Sequence, residues 1–492
     1  MMTLRTTNKK MWLGMALVSL TAACGGGGGA GSAGGGGGTM VKGAPVGKKP
    51  MSKIAAKAAP PPEVKAAGPV VEMSENDKAK FDKAAKAYAE LEKEAQATGW
   101  NSGLCMRAAG VWEGLANSAP KMVEARFNVG ASYSHCHEDS KAEAAYKAAI
   151  AINGAYAPAF ANIGEIYLRG GAPEKAKPWF ENALKADPNN AAAHNNLAWM
   201  IYQKLRVSTV EAERTRLEDE VLGHLRTALA VEADNLEAFN TFALVYLEGS
   251  ENNASRLDIA QLLIDQAKKK NDKFAPLYVT SGLLALKRKN VSMALSDFNK
   301  AIVLDPMLTE ARMNVGALGI SFRKYDDAKA QFEAVLKKEP KNYEAKVGLG
   351  VALRGLAAVQ KDTKILDDAE KTYNDAKAMQ PNAGAAYYNL GLLYANYRLV
   401  ILNPDDYDGQ IDAATKAVGY FTQFKQKGGP PDKIKDAGER IDDLNKLIQT
   451  FKEIKALPPE PPMEETPPPA PAPAPGAPAP GAAPAPAGGN PK

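Results

Sequence analysis

Hydrophobic and small residues recur along this chain at helical spacing, in short runs that come in pairs. The clearest pair lies within residues 157–190, where a turn joins two such runs and Pro188 follows the second. The first predicted helix carries Ile163, Gly164 and Tyr167, and the second carries Ala176, Phe180 and Ala183. One pair of short helices cannot bury its own apolar face, so the pattern predicts that the pair packs against copies of itself.

The same order of small and large residues recurs with a period of 34 residues, interrupted by insertions. The small residue of the first helix recurs as Gly130, Gly164, Ala198, Ala243, Gly282, Gly316, Gly350 and Gly391. The large residue of the second helix recurs as Tyr146, Phe180, Leu225, Ile264, Phe298, Phe332, Tyr373 and Phe421. The constant phase predicts that these large side chains pack between helices.

At these positions the chain resembles the tetratricopeptide repeat, or TPR, over residues 123–429. The resemblance implies an all-α fold, an α-solenoid in which eight helix–turn–helix copies stack into a right-handed superhelix. Residues 76–122 are predicted to form a degenerate N-terminal repeat, and residues 432–457 a C-terminal capping helix with one apolar stripe. The insertions in copies three, seven and eight are expected to project from the turns between helices.

The N-terminus has the parts of an export signal over residues 1–23. Basic residues at Arg5, Lys9 and Lys10 precede an apolar run at residues 11–20, which is too short to span a hydrocarbon core of about 30 Å. No later apolar run in the sequence reaches the length of a membrane span. These three basic residues also carry much of the net formal charge of +5, so the remainder of the chain gives no general case for nucleic-acid binding.

The sequence LTAAC, which ends at Cys24, resembles the lipobox of bacterial lipoproteins. The resemblance implies that Cys24 is acylated, with palmitate among the attached chains, and becomes a lipid anchor. Thr21 stands where the family usually has leucine. Gly25 follows the cysteine in place of an aspartate, which by resemblance implies the outer membrane. The alternative is an ordinary cleaved signal with a cysteine there by chance.

Two biased segments flank the predicted array. Residues 24–72 are rich in Gly, Ala, Lys and Pro and are expected to form a flexible tether. The lysines of this tether are either solvated or lie against an anionic surface. Residues 458–492 form a Pro/Ala-rich tail that favours polyproline II and serves either as a spacer or as a docking ligand.

The repeat resemblance also predicts where the other two cysteines lie relative to each other. Cys105 lies in the second helix of the degenerate copy, and Cys136 lies at the end of the next first helix. In a TPR stack these two places are neighbours, and an oxidising compartment permits a disulfide between them. The neighbouring sequence His135-Cys136-His137 is not predicted to bind a metal, because adjacent helical residues point in different directions and cannot all reach one ion.

One row of polar residues is a candidate for recognition. Two residues before the small residue, asparagine recurs as Asn128, Asn162, Asn196, Asn314 and Asn389. An amide can donate to and accept from an extended peptide backbone, and some TPR proteins line their groove with such asparagines. The alternative is that asparagine supports the repeat fold at this position. Trp199, Tyr202 and Tyr388 are predicted to add apolar pockets to the same concave face.

No catalytic motif emerges from the sequence. It contains no glycine-rich phosphate loop, no HExxH and no nucleophile elbow, so no enzymatic activity, cofactor or metal is expected. The sequence therefore favours a scaffold whose concave face binds other envelope proteins and whose lipid holds it to the periplasmic side of an outer membrane. The layout resembles that of TPR lipoproteins such as the one in the myxobacterial adventurous gliding-motility machinery. The alternatives are a pilotin-like assembly factor for a secretin or pilus, and a peptidoglycan-associated envelope protein.

Overall fold

The computed structural model describes residues 60–65, 74–250 and 253–456, and every regular element within these ranges is helical. Within the same ranges the helices follow one another as nine hairpins and a final single helix. The predicted signal peptide, Cys24, most of the tether and the tail at residues 458–492 lie outside the described residues. None of the described helices has the length and apolarity needed to cross a bilayer.

The helix bounds of the N-terminal half define hairpins 1 to 5. Hairpin 1 comprises α1 (Glu75–Thr98) and α2 (Ser102–Ser118), and hairpin 2 comprises α3 (Val123–Ser134) and α4 (Asp139–Ile152). Hairpin 3 comprises α5 (Ala157–Arg169) and α6 (Pro173–Ala186), hairpin 4 comprises α7 (Ala191–Val207) and α8 (Glu211–Val231), and hairpin 5 comprises α9 (Leu236–Glu248) and α10 (Ser255–Lys270).

The C-terminal half contains hairpins 6 to 9 and the single helix. Hairpin 6 comprises α11 (Ala275–Lys287) and α12 (Val291–Leu304), hairpin 7 comprises α13 (Thr309–Ser321) and α14 (Tyr325–Lys338), and hairpin 8 comprises α15 (Tyr343–Gln360) and α16 (Thr363–Met379). In hairpin 9, α17 consists of Gly384–Leu393, a π-helical turn at Tyr394–Arg398 and a last turn at Leu399–Ile401, and it is followed by α18 (Tyr407–Lys427). The single helix is α19 (Pro431–Ala456).

Asparagine caps start the first helices of hairpins 4, 5 and 8 and fix where these three hairpins begin. The side-chain oxygens of Asn190, Asn235 and Asn342 accept hydrogen bonds from backbone N–H groups three residues later, at the starts of α7, α9 and α15. Each cap satisfies one of the amide groups that a helix start leaves without an intrahelical partner. The turn into the second helix of hairpins 2, 3, 6 and 7 has one left-handed residue, respectively His137, Gly171, Lys289 and Arg323.

A contact between the small residue of the first helix and the large residue of the second holds each of hairpins 2 to 9 together. A Cβ atom on Gly316 would lie 2.8 Å from the ring of Phe332, and one on Gly164 would lie 2.7 Å from the ring of Phe180. Only glycine lets the helix backbone approach the ring so closely. Hairpins 4 and 5 have Ala198 and Ala243 as the small residue, and there the large residue is the aliphatic Leu225 or Ile264.

The large residues are buried, as the repeat phase predicts. Tyr146, Phe180, Leu225, Ile264, Phe298, Phe332, Tyr373 and Phe421 are all at most 1% exposed. They belong to hydrophobic clusters that continue from one hairpin into the next, so the core is a ribbon along the stack and has no single centre. This arrangement confirms the predicted all-α solenoid of helical hairpins.

Copies one to eight of the predicted repeat are hairpins 2 to 9. The prediction that the insertions in copies three, seven and eight project from the turns was wrong. The extra residues of hairpin 4 instead lengthen its helices, so that α7 has 17 residues and α8 has 21, compared with 13 and 14 in α5 and α6. Hairpins 8 and 9 are likewise built from longer helices, and α18 has 21 residues. The added segments continue the helical pattern, because Leu205 and Leu217 lie on apolar faces that pack together within the hairpin.

Helix α19 covers the last hairpin. Ala437 and Leu444 are buried against hairpin 9, and Ile434, Ile441 and Ile448 pack at the edge of the same cluster. Its opposite face carries exposed charged residues, including Lys435, Glu439 and Lys446. One apolar face and one polar face are what the end of a solenoid requires.

A short proline-rich segment, residues 60–65, lies against α6 and the α4–α5 turn, and we call it the strap. The Asn182 Nδ2 atom donates to the Pro62 carbonyl oxygen over 2.9 Å, and the Lys65 N–H donates to the Gly154 carbonyl oxygen over 3.3 Å. Val64 packs against the core of hairpins 2 to 4. The tether was expected to be flexible throughout, but this part of it is held, because a proline carbonyl and an apolar side chain find partners on the array.

The glycine–ring contact can be tested by exchanging its two members. Gly316→Ala should destabilise hairpin 7 by about 1–3 kcal/mol, since the new methyl group overlaps the Phe332 ring. Adding Phe332→Leu recreates the alanine–aliphatic pairing of hairpin 4 and should recover most of that loss. Thermal unfolding of the two single variants and the double variant gives the coupling free energy between positions 316 and 332. Strictly additive losses would show that the two positions do not act as a pair.

Candidate peptide-binding face

The first helices of successive hairpins lie side by side and form one face of the array, and the predicted asparagine row lies on this face. Asn162, Asn196 and Asn314 are 6%, 2% and 5% exposed, and Asn128 and Asn389 are half-buried. The row therefore lies at the base of the face, and a bound peptide would meet only the edges of these side chains.

Hydrogen bonds within the fold already use the amide nitrogens of four of the five asparagines. The Nδ2 atoms of Asn196, Asn314 and Asn389 donate to the backbone carbonyl oxygen four residues earlier, over 2.9 Å in each case. Asn162 Nδ2 donates to the Tyr146 hydroxyl over 3.1 Å. These contacts favour the fold-supporting role for the amide N–H groups.

Two of the amide oxygens, unlike the nitrogens on the same side chains, are not used in hydrogen bonds within the described fold. The Oδ1 atoms of Asn162 and Asn196 are buried and accept no hydrogen bond within the described chain. A buried acceptor without a donor costs free energy, and the N–H of an extended peptide is a suitable donor. The chemistry that the row can offer a ligand is therefore acceptance of hydrogen bonds at hairpins 3 and 4.

The three predicted aromatic residues occupy different surroundings. Trp199 is half-buried on α7 and keeps part of its ring accessible, next to the Tyr202 ring at 5.6 Å. Tyr202 is 3% exposed and its hydroxyl donates to Glu248 over 3.3 Å. Tyr388 is 8% exposed and its hydroxyl donates to Asp436 of α19 over 2.6 Å. Tyr202 and Tyr388 thus join helices to one another, and Trp199 is the member of the three that offers an accessible surface.

A buried carboxylate on the same face was not anticipated from the sequence. Glu165 of α5 is 6% exposed, and its burial raises the pKa of the carboxyl group to about 8. Arg169 opposes this rise through a contact of 3.4 Å between Nη1 and Oε1, while Asp139 and Glu237 add to it. Arg169 also donates to Asp139 over 2.5 Å, so its charge is shared between two acids. The signal in the sequence is a lone charge within the apolar run of α5.

Cys105 and Cys136 are joined by a disulfide with a Cα–Cα distance of 6.3 Å. Cys105 is buried in α2, and Cys136 lies in the turn that follows α3. Beside the bond, the His135 ring stacks on Trp100 with centroids 4.6 Å apart, and its Nε2 atom lies 3.2 Å from the Tyr88 hydroxyl. The bond and these rings fasten hairpin 1 to hairpin 2.

Among the described residues, no group of three or more His, Cys, Asp or Glu side chains is placed to hold a metal ion. The sequence His135-Cys136-His137 is divided between a stacked ring, a disulfide and an exposed turn residue. The other two histidines, His194 and His224, form a pair with their Nδ1 atoms 2.7 Å apart.

Two stretches of the chain match family models described as "Tetratricopeptide repeat", at residues 157–190 and at residues 320–361. The first of these stretches contains hairpin 3. The chain therefore contains tetratricopeptide repeats, and the predicted repeat type is confirmed. Proteins built from this repeat bind partner proteins, and this general property supports a scaffold function for the chain.

Known proteins resemble the chain over parts of its length. Over 216 residues it is 24% identical to the human protein O-mannosyl-transferase TMTC1, a match that covers 44% of this chain and 23% of that protein. TTC0263, a TPR protein of Thermus thermophilus, is 23% identical and has a TM-score of 0.35, over 40% of this chain and 98% of its own. The pilF protein of Pseudomonas aeruginosa is 21% identical and has a TM-score of 0.35, over 47% of this chain and 94% of its own.

The buried carboxyl group predicts a pH dependence of stability. Below about pH 4.5 Glu165 is protonated in both the folded and the unfolded chain. Between that value and about 8 only the unfolded chain loses the proton, so stability falls as the pH rises through this window. Glu165→Gln should remove the decline and leave the variant more stable at pH 8, on the order of a few kcal/mol. Thermal unfolding from pH 5 to 9 measures this, with the exposed Glu453→Gln as control, and parallel curves for Glu165→Gln and wild type would contradict it.

The disulfide predicts a redox dependence confined to the N-terminal hairpins. Replacing both Cys105 and Cys136 by alanine should destabilise hairpins 1 and 2 by about 3–4 kcal/mol, from the entropy of the loop that the bond closes. Limited proteolysis should then cut within hairpin 1 first. A reductant should produce the same change in wild type and none in the variant. Equal protease resistance with and without the bond would show that the rings alone fasten the two hairpins.

Proposed function

We propose that this chain is a lipid-anchored, periplasm-facing TPR scaffold that binds partner proteins in an outer-membrane envelope complex. The observation that carries the proposal is the order of parts: an export signal, an acylatable Cys24, a glycine-rich tether and a long repeat array. The chain has three cysteines, and Cys105 and Cys136 are joined to each other, so Cys24 is left for modification. A structural disulfide also suits the oxidising environment outside the inner membrane.

The binding surface in this proposal is the face of first helices, with its centre at hairpins 3 and 4. There the Oδ1 atoms of Asn162 and Asn196 can accept from the backbone of an extended segment, and Trp199 offers an apolar contact. We expect the ligand to be an extended segment, because the backbone N–H groups of such a segment are not used in secondary structure of its own. The proposal assigns no catalytic role to the chain.

Envelope assembly is the process that we assign, with gliding motility as the particular setting that the layout favours. The basic tether and the proline-rich tail support a second candidate, a peptidoglycan-associated protein in which the array acts as a spacer. A pilotin-like role in assembling a secretin or pilus is the third candidate. These candidates differ in what the chain touches in the cell, so the identity of the partner decides among them.

Lipid attachment is tested by metabolic labelling with palmitate. Wild type should incorporate the label and sediment with outer membranes, and Cys24→Ala should do neither. Cys105→Ala is the matched control, because it also removes one cysteine and should keep the label. Absence of label from wild type would overturn the lipid anchor while leaving the scaffold role open to the next test.

Partner binding is tested by placing a photo-crosslinking residue at Trp199 in the full chain and identifying what it captures in cells. The same residue at the exposed Met293 of α12, on a second helix, serves as the control. We expect envelope proteins to be captured from Trp199 and lost when Asn162 and Asn196 are both changed to alanine. Capture of peptidoglycan or secretin subunits would favour the second or third candidate, and capture that ignores the asparagines would exclude the proposed surface.

A further inference from the structure

The groove under the strap contains a proline that helix formation disfavours. This strap groove is formed by α6 and the α4–α5 turn and is lined by Ala155, Pro178, Asn182, Lys185 and Ala186. Pro178 is the only proline in the interior of a described helix, since the others in the described ranges lie at helix starts, in turns or in the strap. An interior proline removes a backbone hydrogen bond and costs helix stability. The position of Pro178 therefore favours a role in the groove over a role in the helix.

The α4–α5 turn leaves room for the strap at Gly154. Hairpins 3, 6, 7 and 8 have proline directly after the residue that caps their second helix, and hairpin 2 has Gly154 there. A Cβ atom on Gly154 would lie 2.7 Å from the Cβ atom of Lys65, and the three atoms nearest to it all belong to Lys65. The Gly154 φ angle lies outside the left-handed region, so the turn itself accepts other residues. The small size of Gly154 thus serves the strap.

Asn182 presents an amide of fixed orientation to the strap. The side chain is 7% exposed, and its Oδ1 atom accepts from the Lys185 Nζ atom over 3.2 Å. The Nδ2 atom therefore points into the groove, where it donates to the Pro62 carbonyl oxygen over 2.9 Å. The carbonyl groups of a polyproline II segment have no internal hydrogen-bond partners. The Asn182 amide is therefore suited to bind a proline-rich backbone.

The strap is held through groups that other proline-rich segments also carry. These groups are the Pro62 carbonyl oxygen, the backbone N–H three residues later and the apolar side chain of Val64. The consecutive prolines at residues 60–62 have fixed φ angles, so such a segment loses little conformational entropy on binding. The charged side chains of Glu63 and Lys65 are exposed. None of the holding contacts requires that the ligand belong to the same chain.

The strap leaves part of its groove empty. An open cleft of about 790 Å³ lies between the two and is lined on the strap by Pro60, Pro61 and Glu63 and on α6 by Pro178, Lys185 and Ala186. A segment with a large apolar side chain at the first of these positions would bury more apolar surface than the strap does. The strap is therefore a modest ligand, and its attachment to the same chain raises its effective concentration at the groove.

We propose that the strap groove is a second protein-binding site, which takes a proline-rich segment of a partner in the polyproline II conformation, with a large apolar residue at the place of Pro60. The strap is the resident ligand and covers the groove until such a segment replaces it. The groove is formed by a second helix and a turn, so it is separate from the face of first helices. The proposal depends neither on the lipid anchor nor on the partner surface at hairpins 3 and 4.

Fluorescence anisotropy with a labelled peptide of residues 58–67 tests the site in the full chain. A release variant that combines Val64→Asp with Lys65→Pro loses the apolar contact and the N–H that donates to Gly154, so the strap leaves the groove. The peptide should bind this variant about tenfold more tightly than wild type, in which the attached strap competes. A peptide with alanine at residues 60–62 is the control and should bind far more weakly. Absence of binding to the release variant would overturn the proposal.

Two groove variants on the release background identify the contacts. Asn182→Ala should weaken peptide binding about fivefold, the effect of one lost hydrogen bond. Gly154→Ala should weaken it about tenfold or more, because the new methyl group overlaps the bound segment. Gly223→Ala, at an exposed glycine of α8 with open space around it, is the matched control. Circular dichroism checks that each variant keeps its helicity. Unchanged affinity in both groove variants would place the peptide elsewhere and contradict the proposed site.

A second peptide separates a partner site from a mere fastening of the strap. The change Pro60→Tyr in the peptide fills the open cleft, so this peptide should bind several-fold more tightly and displace the strap from wild type. Equal or lower affinity would show that the cleft takes no side chain and would overturn the assignment to a partner. Sedimentation of wild type at the same concentrations should show a monomer. A dimer joined by exchanged straps would make a second copy the occupant and would also overturn that assignment.

Discussion

The approach of a small residue to a large side chain is the contact on which the whole array depends. It sets the distance between the two helices of a hairpin, and that distance fixes where the next hairpin can pack. The chain solves the same steric problem in two ways: glycine with an aromatic ring, as at Gly316 and Phe332, and alanine with an aliphatic side chain, as at Ala198 and Leu225. The total space used is similar, and the stack continues through both kinds of hairpin.

The fold could be predicted from the sequence because the repeat imposes the same local solution many times. Each copy adds independent support for the phase, and the phase alone indicates that Phe298 and Phe332 are buried. The elongated helices of hairpin 4 were missed, because extra residues between repeats say nothing by themselves about whether they form loops or helix. The apolar spacing of Leu205 and Leu217 was the signal that could have distinguished the two.

The candidate site was less predictable than the fold. The recurrence of asparagine identifies a position on the first helix. Whether the amide there faces a ligand or its own helix depends on the side-chain conformation, which the sequence spacing does not give. Asn196 and Asn314 turn their N–H groups inward, and Tyr202 and Tyr388 use their hydroxyls to join helices. Glu165 has no counterpart at the equivalent position of the other copies, so the recurrence of residues does not reveal it.

The strap changes how the array would respond to a mechanical load. Tension on the chain that precedes residue 60 meets the hydrogen bond between Asn182 and Pro62 before it can reach α1. The load therefore enters at hairpin 3. If the strap peels away, the force passes to hairpin 1, which is covalently joined to hairpin 2 through Cys105 and Cys136. A weak, reversible fastening is thus placed in series ahead of a covalent one, so a brief pull can be absorbed and reversed before any helix of the array unfolds.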